Sequence, residues 1–189
     1  MSRSSLHRSS FVRPLWAVLG VLTVAVSAHA AVATFDGSSE VKFQAVGPAG
    51  LKIDGDGGGL KASEAGGAIT LEVPLTSLKT GIALRDEHLQ KALETSKFPK
   101  ATLVVQRSAL TFPADNQAFE GDVGAQLTLH GQTKPTTVHY KVNRTGSDFH
   151  IQGRATVDIT KHGMEVPCYL GVCVEKDVKI KVKFKVRDN

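Results

Sequence analysis

The sequence predicts an all-β fold with one short helix, and three observations support this class. Apolar and polar residues alternate in short runs along most of the chain, and this period of two places the apolar side chains of a strand on one face. Eighteen glycines supply turns between the runs. Only the segment 82–93 changes to helical spacing. We therefore expect antiparallel strands that each have one dry face.

The first 30 residues have the features of a secretory signal peptide. Arg3, Arg8 and Arg13 make the start basic, and an apolar run of 12 residues follows at 16–27. This run is shorter than the roughly 20 residues that cross a bilayer. Positions 28–30 read Ala-His-Ala, which is typical of a signal-peptidase site. The sequence therefore predicts an exported protein.

Cleavage after residue 30 would leave a single domain, residues 31–189, in the periplasm or in the medium. The whole chain has a formal charge of +5, but the leader contains three of the 23 basic residues and none of the 18 acidic ones. The mature balance is therefore only +2. This small charge removes the main compositional support for a nucleic-acid partner.

The two cysteines, Cys168 and Cys173, are predicted to form a disulfide. Both lie in the exported part, where oxidising conditions favour a bond between them. A structural metal site usually needs four ligands. No metal is therefore predicted, and no motif indicates a cofactor.

The clearest strand lies near the C-terminus, where five apolar residues are separated one for one by four lysines at 178–186. A helix would spread these lysines around its circumference, whereas a strand collects them on one face. We expect the lysine row to be a solvated outer face. The alternative is an electrostatic attraction to an anionic lipid surface, which would give transient membrane contact.

The rest of the chain contains further alternating runs, about eight to ten strands in all, and the single helix. This helix would place Ile82, Leu89, Ala92 and Leu93 on one side, and Pro99 prevents it from continuing further.

A turn at Thr145-Gly146 predicts a hairpin between two of the later strands. Pairing about this turn sets Val142 opposite Phe149 and Tyr140 opposite Ile151, all on one face.

Antiparallel strands with one dry face assemble into either a sandwich or a closed barrel, and composition does not choose between them. A barrel of around eight strands would leave an interior that can hold one slender ligand. Neither the HExxH pattern of metalloproteases nor the GxSxG pattern of hydrolases occurs in the chain. We therefore predict no catalytic residues and no enzyme activity.

Several motifs resemble the YceI-like family of exported proteins. They are Thr80-Gly81, Arg85-Asp86-Glu87-His88-Leu89, Lys97-Phe98-Pro99, and Leu127-Thr128-Leu129-His130-Gly131 followed by Thr133-Lys134-Pro135. The likeness covers nearly all of the mature chain, and its two central motifs are fairly specific when they occur together. The resemblance implies an extended antiparallel lipocalin-like β-barrel with a helix beside it, and it favours the barrel over the sandwich.

The resemblance also implies a ligand, because members of this family hold polyisoprenoid chains, such as isoprenoid quinones or phosphates, in the barrel interior. An amphiphilic lipid is therefore the expected partner. The expected lining consists of apolar-face residues, namely Phe43, Ile69, Leu71, Leu127, Tyr140, Phe149, Val182 and Phe184. Arg85, Asp86 and His88 are expected to tie the helix to the barrel rim, and contact with a ligand head group is the alternative for Arg85 and His88.

Two other functions stay open on the sequence alone. The inward apolar rows would serve equally well in a filled core, and the protein would then act through its surface in protein–protein interaction or stress protection. An enzyme is the third possibility. A cavity large enough for a lipid chain would separate a carrier from a protein with a filled core. The sequence also leaves the oligomeric state open, a homodimer included.

Overall fold

The computed structural model of the protein describes residues 34–169 and 171–187, and the predicted leader, residues 1–30, lies outside them. The strands are β1 (Thr34–Val46), β2 (Lys52–Gly57), β3 (Lys61–Ala65), β4 (Ala68–Pro74), β5 (Lys100–Gln106), β6 (Ala118–Leu129), β7 (Gln132–Thr145), β8 (Asp148–Asp158), β9 (Cys168–Tyr169), β10 (Val172–Cys173) and β11 (Asp177–Arg187). The described part contains one α-helix, α1 (Ala83–Ala92), and short 3₁₀ turns at Pro48–Gly50, Leu75–Ser77, Arg107–Ala109 and Ile159–His162.

Nine of the strands form one antiparallel sheet in the order β2-β1-β11-β8-β7-β6-β5-β4-β3. Strands that follow one another in the chain pair from β3 to β8, although the connection between β4 and β5 contains α1. The last strand, β11, lies between β8 and β1 and so joins the two parts of the sheet. The sheet is curled, and its apolar face lies inside the curl. The predicted all-β class with one helix, in a lipocalin-like antiparallel barrel, is therefore confirmed.

The two end strands of the sheet, β2 and β3, do not pair with each other, and the segment before α1 bridges the seam between them. Asp56 of β2 exchanges two backbone hydrogen bonds of 2.8 Å with Lys79, which precedes α1. The Ser77 hydroxyl donates to the carbonyl oxygen of Gly58 at 2.9 Å, and the Leu60 amide donates to the hydroxyl of Ser39 at 3.2 Å. These contacts satisfy edge groups that a closed ladder would otherwise pair.

Strand β11 has the two faces that its sequence predicts, and it lies between β1 and β8. Phe184 is 9% exposed on the inner face, whereas Lys179, Lys181 and Lys183 are exposed on the outer face. Strand β11 buries its own apolar row and pairs with β1 on one side and β8 on the other. It therefore stabilises both parts of the sheet.

The predicted pairing of the β7–β8 hairpin is wrong by two residues. Val142 lies opposite Ile151 rather than Phe149, because the turn closes at Thr145 and Asp148. Gly146 has a φ of 61°, as the first residue of a two-residue hairpin turn often does. A shift of two residues keeps every side chain on its predicted face, so the inner and outer rows are unchanged.

The helix is shorter than its pattern indicates, and its first predicted apolar contact is wrong. It ends at Ala92, well before Pro99, because Glu94 adopts a left-handed φ of 45°. Ile82 precedes the helix and is 51% exposed, whereas Leu93 is buried. The helix is therefore attached to the barrel by its C-terminal half.

The predicted disulfide joins Cys168 to Cys173, with the two Cα atoms 4.0 Å apart. It links β9 to β10 in a small separate hairpin. A loop this short contributes about 2 kcal/mol in the chain-entropy account of disulfides. The bond therefore stabilises a local segment more than the barrel as a whole.

The loop after β8 carries a pH-sensitive contact. The Asp158 carboxylate accepts hydrogen bonds from Lys176 Nζ at 2.7 Å and from the Thr160 hydroxyl at 2.6 Å. These bonds, with that from Lys176 the strongest, lower the pKa of Asp158 from 3.8 to about 2. A carboxyl with a lowered pKa stabilises the folded state above its unfolded pKa, and this stabilisation is lost as the pH falls toward the folded pKa.

We therefore expect the urea midpoint of the wild type to fall between about pH 4 and pH 2, and Asp158→Asn to flatten this fall. Asparagine can still accept a hydrogen bond at the same position, so the variant removes mainly the charge. Asp54→Asn, on the exposed strand β2, is the control and should leave the slope unchanged. Equal slopes for the wild type and the Asp158 variant would contradict the expectation.

Candidate ligand-binding cavity

One half of the barrel encloses an apolar cavity of about 230 Å³. Its walls come from the inner faces of the central strands, which contribute among others Val41, Phe43, Leu103, Leu127 and Val182. Alternation places these side chains on a common face because each strand presents every second residue inward. The cavity therefore follows from the same pattern that predicts the strands.

The helix and the 3₁₀ turn before it close one side of this cavity. Leu75, Leu78, Leu89 and Leu93 all contribute to the lining. The Gln90 side chain holds the two segments together, because its amide nitrogen donates to the carbonyl oxygens of Leu75 at 3.2 Å and Leu78 at 3.1 Å. The helix is thus fastened to the turn by both packing and hydrogen bonds.

The start of α1 is held by a second polar contact. One carboxylate oxygen of Asp86 accepts hydrogen bonds from the Thr80 hydroxyl at 2.6 Å and from the Thr80 amide at 2.5 Å. These bonds lower the pKa of Asp86. The contact ties Asp86 of the helix to the segment that bridges the barrel seam, and the roles expected for Arg85 and His88 at the rim stay predictions.

The other half of the barrel is filled. Val105, Val123, Val142 and Phe149 form a buried cluster with Tyr140 there. The Tyr140 hydroxyl accepts a hydrogen bond from the Thr111 amide at 2.9 Å, so its polar end is satisfied. The barrel therefore has a packed compartment, formed by this cluster, and a hollow one, in which a second buried cluster that includes Val41, Phe43 and Leu60 surrounds the cavity.

The predicted lining residues are divided between these two compartments. Phe43, Leu71, Leu127 and Val182 line the cavity. Tyr140 and Phe149 belong to the packed cluster, and Phe184 is buried beside the cavity without lining it. Ile69 is half-buried on β4 and contributes to neither set. Contact of any of them with a ligand stays a prediction.

The two residues predicted to contact a head group lie on the helix outside the cavity lining. Arg85 is half-buried and His88 is exposed. Their contact with a ligand also stays a prediction.

Several lining residues escape a prediction from alternation because they lie outside strands. Leu60, Leu78, Met164, Pro167 and Val174 all line the cavity from turns and loops. Leu60 is only 2% exposed. Its isolated position after a run of glycines is the one sequence feature that could have identified Leu60 as a buried apolar residue.

The described residues offer few sites for other chemistry. Among them, no group of three or more His, Cys, Asp or Glu side chains could hold a metal ion. In the same part of the chain, no helix has the length and apolar character needed to cross a membrane. The cavity is therefore the feature that invites a functional interpretation.

The curled antiparallel sheet and its half-hollow apolar interior define a lipocalin-like barrel protein. The YceI-like domain matches residues 22–186. The chain belongs to the YceI-like family, as the motifs in its sequence indicate.

Curated relatives align with only part of the chain. Protein YceI of Escherichia coli O157:H7 is 35% identical over 82 residues, which are 42% of this chain and 40% of that protein. A UPF0312 protein of Pseudomonas savastanoi pv. phaseolicola is 31% identical over 107 residues, or 52% of this chain and 53% of the relative. The chain thus spans about half or less of the length of these relatives.

Solved structures share the fold over a longer stretch. A polyisoprenoid binding domain from Saccharophagus degradans, implicated in plant cell wall breakdown, superposes with a TM-score of 0.70 at 18% identity, over 84% of this chain and 99% of that one. BcnA of Burkholderia cenocepacia superposes with a TM-score of 0.61 at 18% identity, over 78% of this chain and 95% of that one. At this identity the likeness establishes the fold alone.

Proposed function

We propose that this protein is an exported binding protein that holds the apolar chain of an amphiphile, such as a polyisoprenoid, in the hollow half of its barrel. The cavity carries the proposal, because almost every residue that lines it is apolar. The cavity remains although residues around it, such as Val41, Leu60 and Leu75, are buried, and empty apolar space of this kind lowers stability. The polyisoprenoid binding domain that shares this fold supports the choice of ligand class.

The cavity volume limits how much of a ligand is enclosed. Sites for drug-sized molecules usually measure roughly 300–1,000 Å³, and this one measures about 230 Å³. Burial stabilises by about 0.8 kcal/mol per carbon, or about 4 kcal/mol per five-carbon unit before the costs of binding. Two such units would approach micromolar affinity. The protein therefore binds a short stretch of chain, and a long isoprenoid extends beyond the cavity.

Export is part of the same proposal. The basic and apolar leader supports it, and the disulfide between Cys168 and Cys173 is typical of an oxidising compartment. In the periplasm or the medium, such a protein would receive its ligand by transient contact with a membrane surface. A binding role rather than an enzymatic one is part of this proposal, and the lack of a recognisable catalytic motif in the sequence supports it.

Organic extraction of the purified mature protein followed by mass spectrometry tests the proposal. We expect a lipid with a long apolar chain to co-purify in a stoichiometric ratio, and delipidated protein to bind the twelve-carbon alcohol 1-dodecanol. Lipid-free protein that also fails to bind dodecanol would contradict the carrier function and favour a role at the protein surface.

A further inference from the structure

The wall of the barrel is open between β7 and β8. Their ladder runs from the turn only as far as the pair His139 and Arg154. Beyond it, residues 132–138 of β7 pair with β6, and residues 155–158 of β8 pair with β11. The two strands therefore separate from each other while each remains in a ladder with its other neighbour.

The separation ends where the loop after β8 returns to β7. The buried His162 ring donates from Nδ1 to the carbonyl oxygen of Gln132 at 3.0 Å. Between this contact and the last ladder pair lies a gap bordered by Thr136 and Val138 on one side and Ala155 on the other. We call this gap the side opening.

A groove on the outer face of the sheet lies next to the side opening. This outer groove has a volume of about 1000 Å³, and its walls include Gly124, Thr137, His139, Arg154, Lys179 and Lys181. Thr136, Arg154, Ala155 and Ile180 line both the groove and the cavity. The two spaces are therefore adjacent at the opening.

The polar residues of the cavity lining lie at the same place. Of the described residues that line the cavity, only Thr136 and Arg154 have polar side chains. The remainder of the lining offers no partner to a charged or hydrogen-bonding group, which is costly to bury unpaired. The polar atoms of these two residues contribute almost nothing to the cavity surface, and Arg154 is exposed on the outer face. A polar head group attached to a bound chain would therefore be disfavoured inside the cavity and favoured outside it, beyond the opening.

The groove beyond the opening is basic. Lys179 and Lys181 make no salt bridge with any described residue. The other two lysines of β11 are paired with neighbouring strands, because Lys183 Nζ lies 3.4 Å from Glu40 and Lys185 Nζ lies 2.9 Å from Asp148. The two lysines that face the groove are thus the ones left unpaired in this row.

One acidic residue, Asp122, lines the groove itself, and a carboxylate oxygen of Asp122 contacts His139. The His139 ring contacts Asp122 through Nδ1 and Glu120 through Nε2, both at 2.7 Å. Arg154 Nη2 lies 3.8 Å from Glu120 Oε1, which is longer than a hydrogen bond. Three cations therefore face the groove with no carboxylate dedicated to Lys179 or Lys181.

We propose that the side opening is a port through which the head group of the bound amphiphile leaves the cavity, and that Lys179, Lys181 and Arg154 bind this head group as an anion. The proposal rests on the proposed function, since it assumes an apolar chain in the cavity. It adds where the head group of such a ligand leaves the cavity and which residues bind it, for a chain that ends in a phosphate or another anionic group.

Two probes with the same chain separate the port from the cavity. Dodecyl phosphate carries an anionic head group, and 1-dodecanol carries a neutral one. Equilibrium dialysis would measure both with the wild type and with the double variant Lys179→Gln/Lys181→Gln. The control is Lys61→Gln/Lys141→Gln, which removes the same charge at exposed sites outside the groove.

We expect the groove variant to lower the affinity for dodecyl phosphate about tenfold, which corresponds to about 1.4 kcal/mol. Its affinity for 1-dodecanol should change less than about twofold. The control variant should change neither. These substitutions are at exposed positions, so the variants should fold like the wild type.

The outcomes distinguish the port from the carrier function. Unchanged affinity for dodecyl phosphate, or equal loss for both probes, would overturn the port and leave the cavity function standing. If the wild type binds neither dodecyl phosphate nor 1-dodecanol, both the port and the carrier function are wrong. Inorganic phosphate is the third probe, and if it binds as tightly as dodecyl phosphate without displacing it, the groove is a separate anion site and the port is wrong.

Discussion

Leu127→Lys is expected to reduce the affinity for 1-dodecanol by at least about a hundredfold. Leu127 lines the cavity from β6, so the variant removes apolar contact worth about 1.5–3 kcal/mol and places an ammonium group in an apolar space. Each 1.4 kcal/mol is a factor of ten in affinity. Equilibrium dialysis measures the loss, and circular dichroism checks that the sheet is intact.

Two controls give this result its meaning. Leu127→Met conserves volume and apolar character and should retain most of the binding. Thr128→Lys introduces the same charge one residue later, on the opposite face of β6, and should leave dodecanol affinity unchanged. Binding that survives in a folded Leu127→Lys protein would place the ligand outside this cavity.

Phe149→Ala is expected to lower the free energy of unfolding by about 3–5 kcal/mol, which is the usual range for a buried phenylalanine. Phe149 is 6% exposed and belongs to the packed cluster. Its ring makes an edge contact with Phe112, with the ring centroids 5.9 Å apart. The Cζ atom of Arg144 lies 4.9 Å from the centroid of the Phe149 ring. Urea unfolding followed by circular dichroism measures the change.

The same variant distinguishes the packed compartment from the hollow one. Phe149→Leu should cost less because it retains most of the buried volume. Under conditions in which Phe149→Ala remains folded, its affinity for dodecanol should equal that of the wild type. A tenfold loss of affinity in the folded variant would mean that Phe149 contacts the ligand, as the sequence pattern by itself suggests.

The sequence predicts the face of a side chain better than its depth in the barrel. Phe43 and Phe149 both lie on inner faces, as alternation indicates, yet Phe43 lines the cavity and Phe149 fills the packed half. The β7–β8 hairpin shows why, because its register differs by two residues from the expected one while every side chain keeps its face. A shift of two residues moves a side chain by about 7 Å along the strand, which is enough to change its neighbours.

Loops and strand ends were harder to predict from the sequence. Leu60 and Leu78 line the cavity from segments that have no repeating pattern. The early end of α1 depends on the left-handed backbone of Glu94. This conformation is uncommon for glutamate, so the residue type does not predict it. The side opening depends on where two strands stop pairing, and each of them retains a good strand pattern through that region.

The sequence by itself determined the strands and their faces, the single helix, the disulfide and the family, because each depends on the order of residues within a short segment or on motifs in a fixed order. The tertiary structure decided which half of the barrel is packed, how the seam closes and where the wall opens. These features depend on side chains and backbone groups that distant strands bring to the same place. A local pattern describes one strand at a time, whereas a cavity exists only where several strands together leave space.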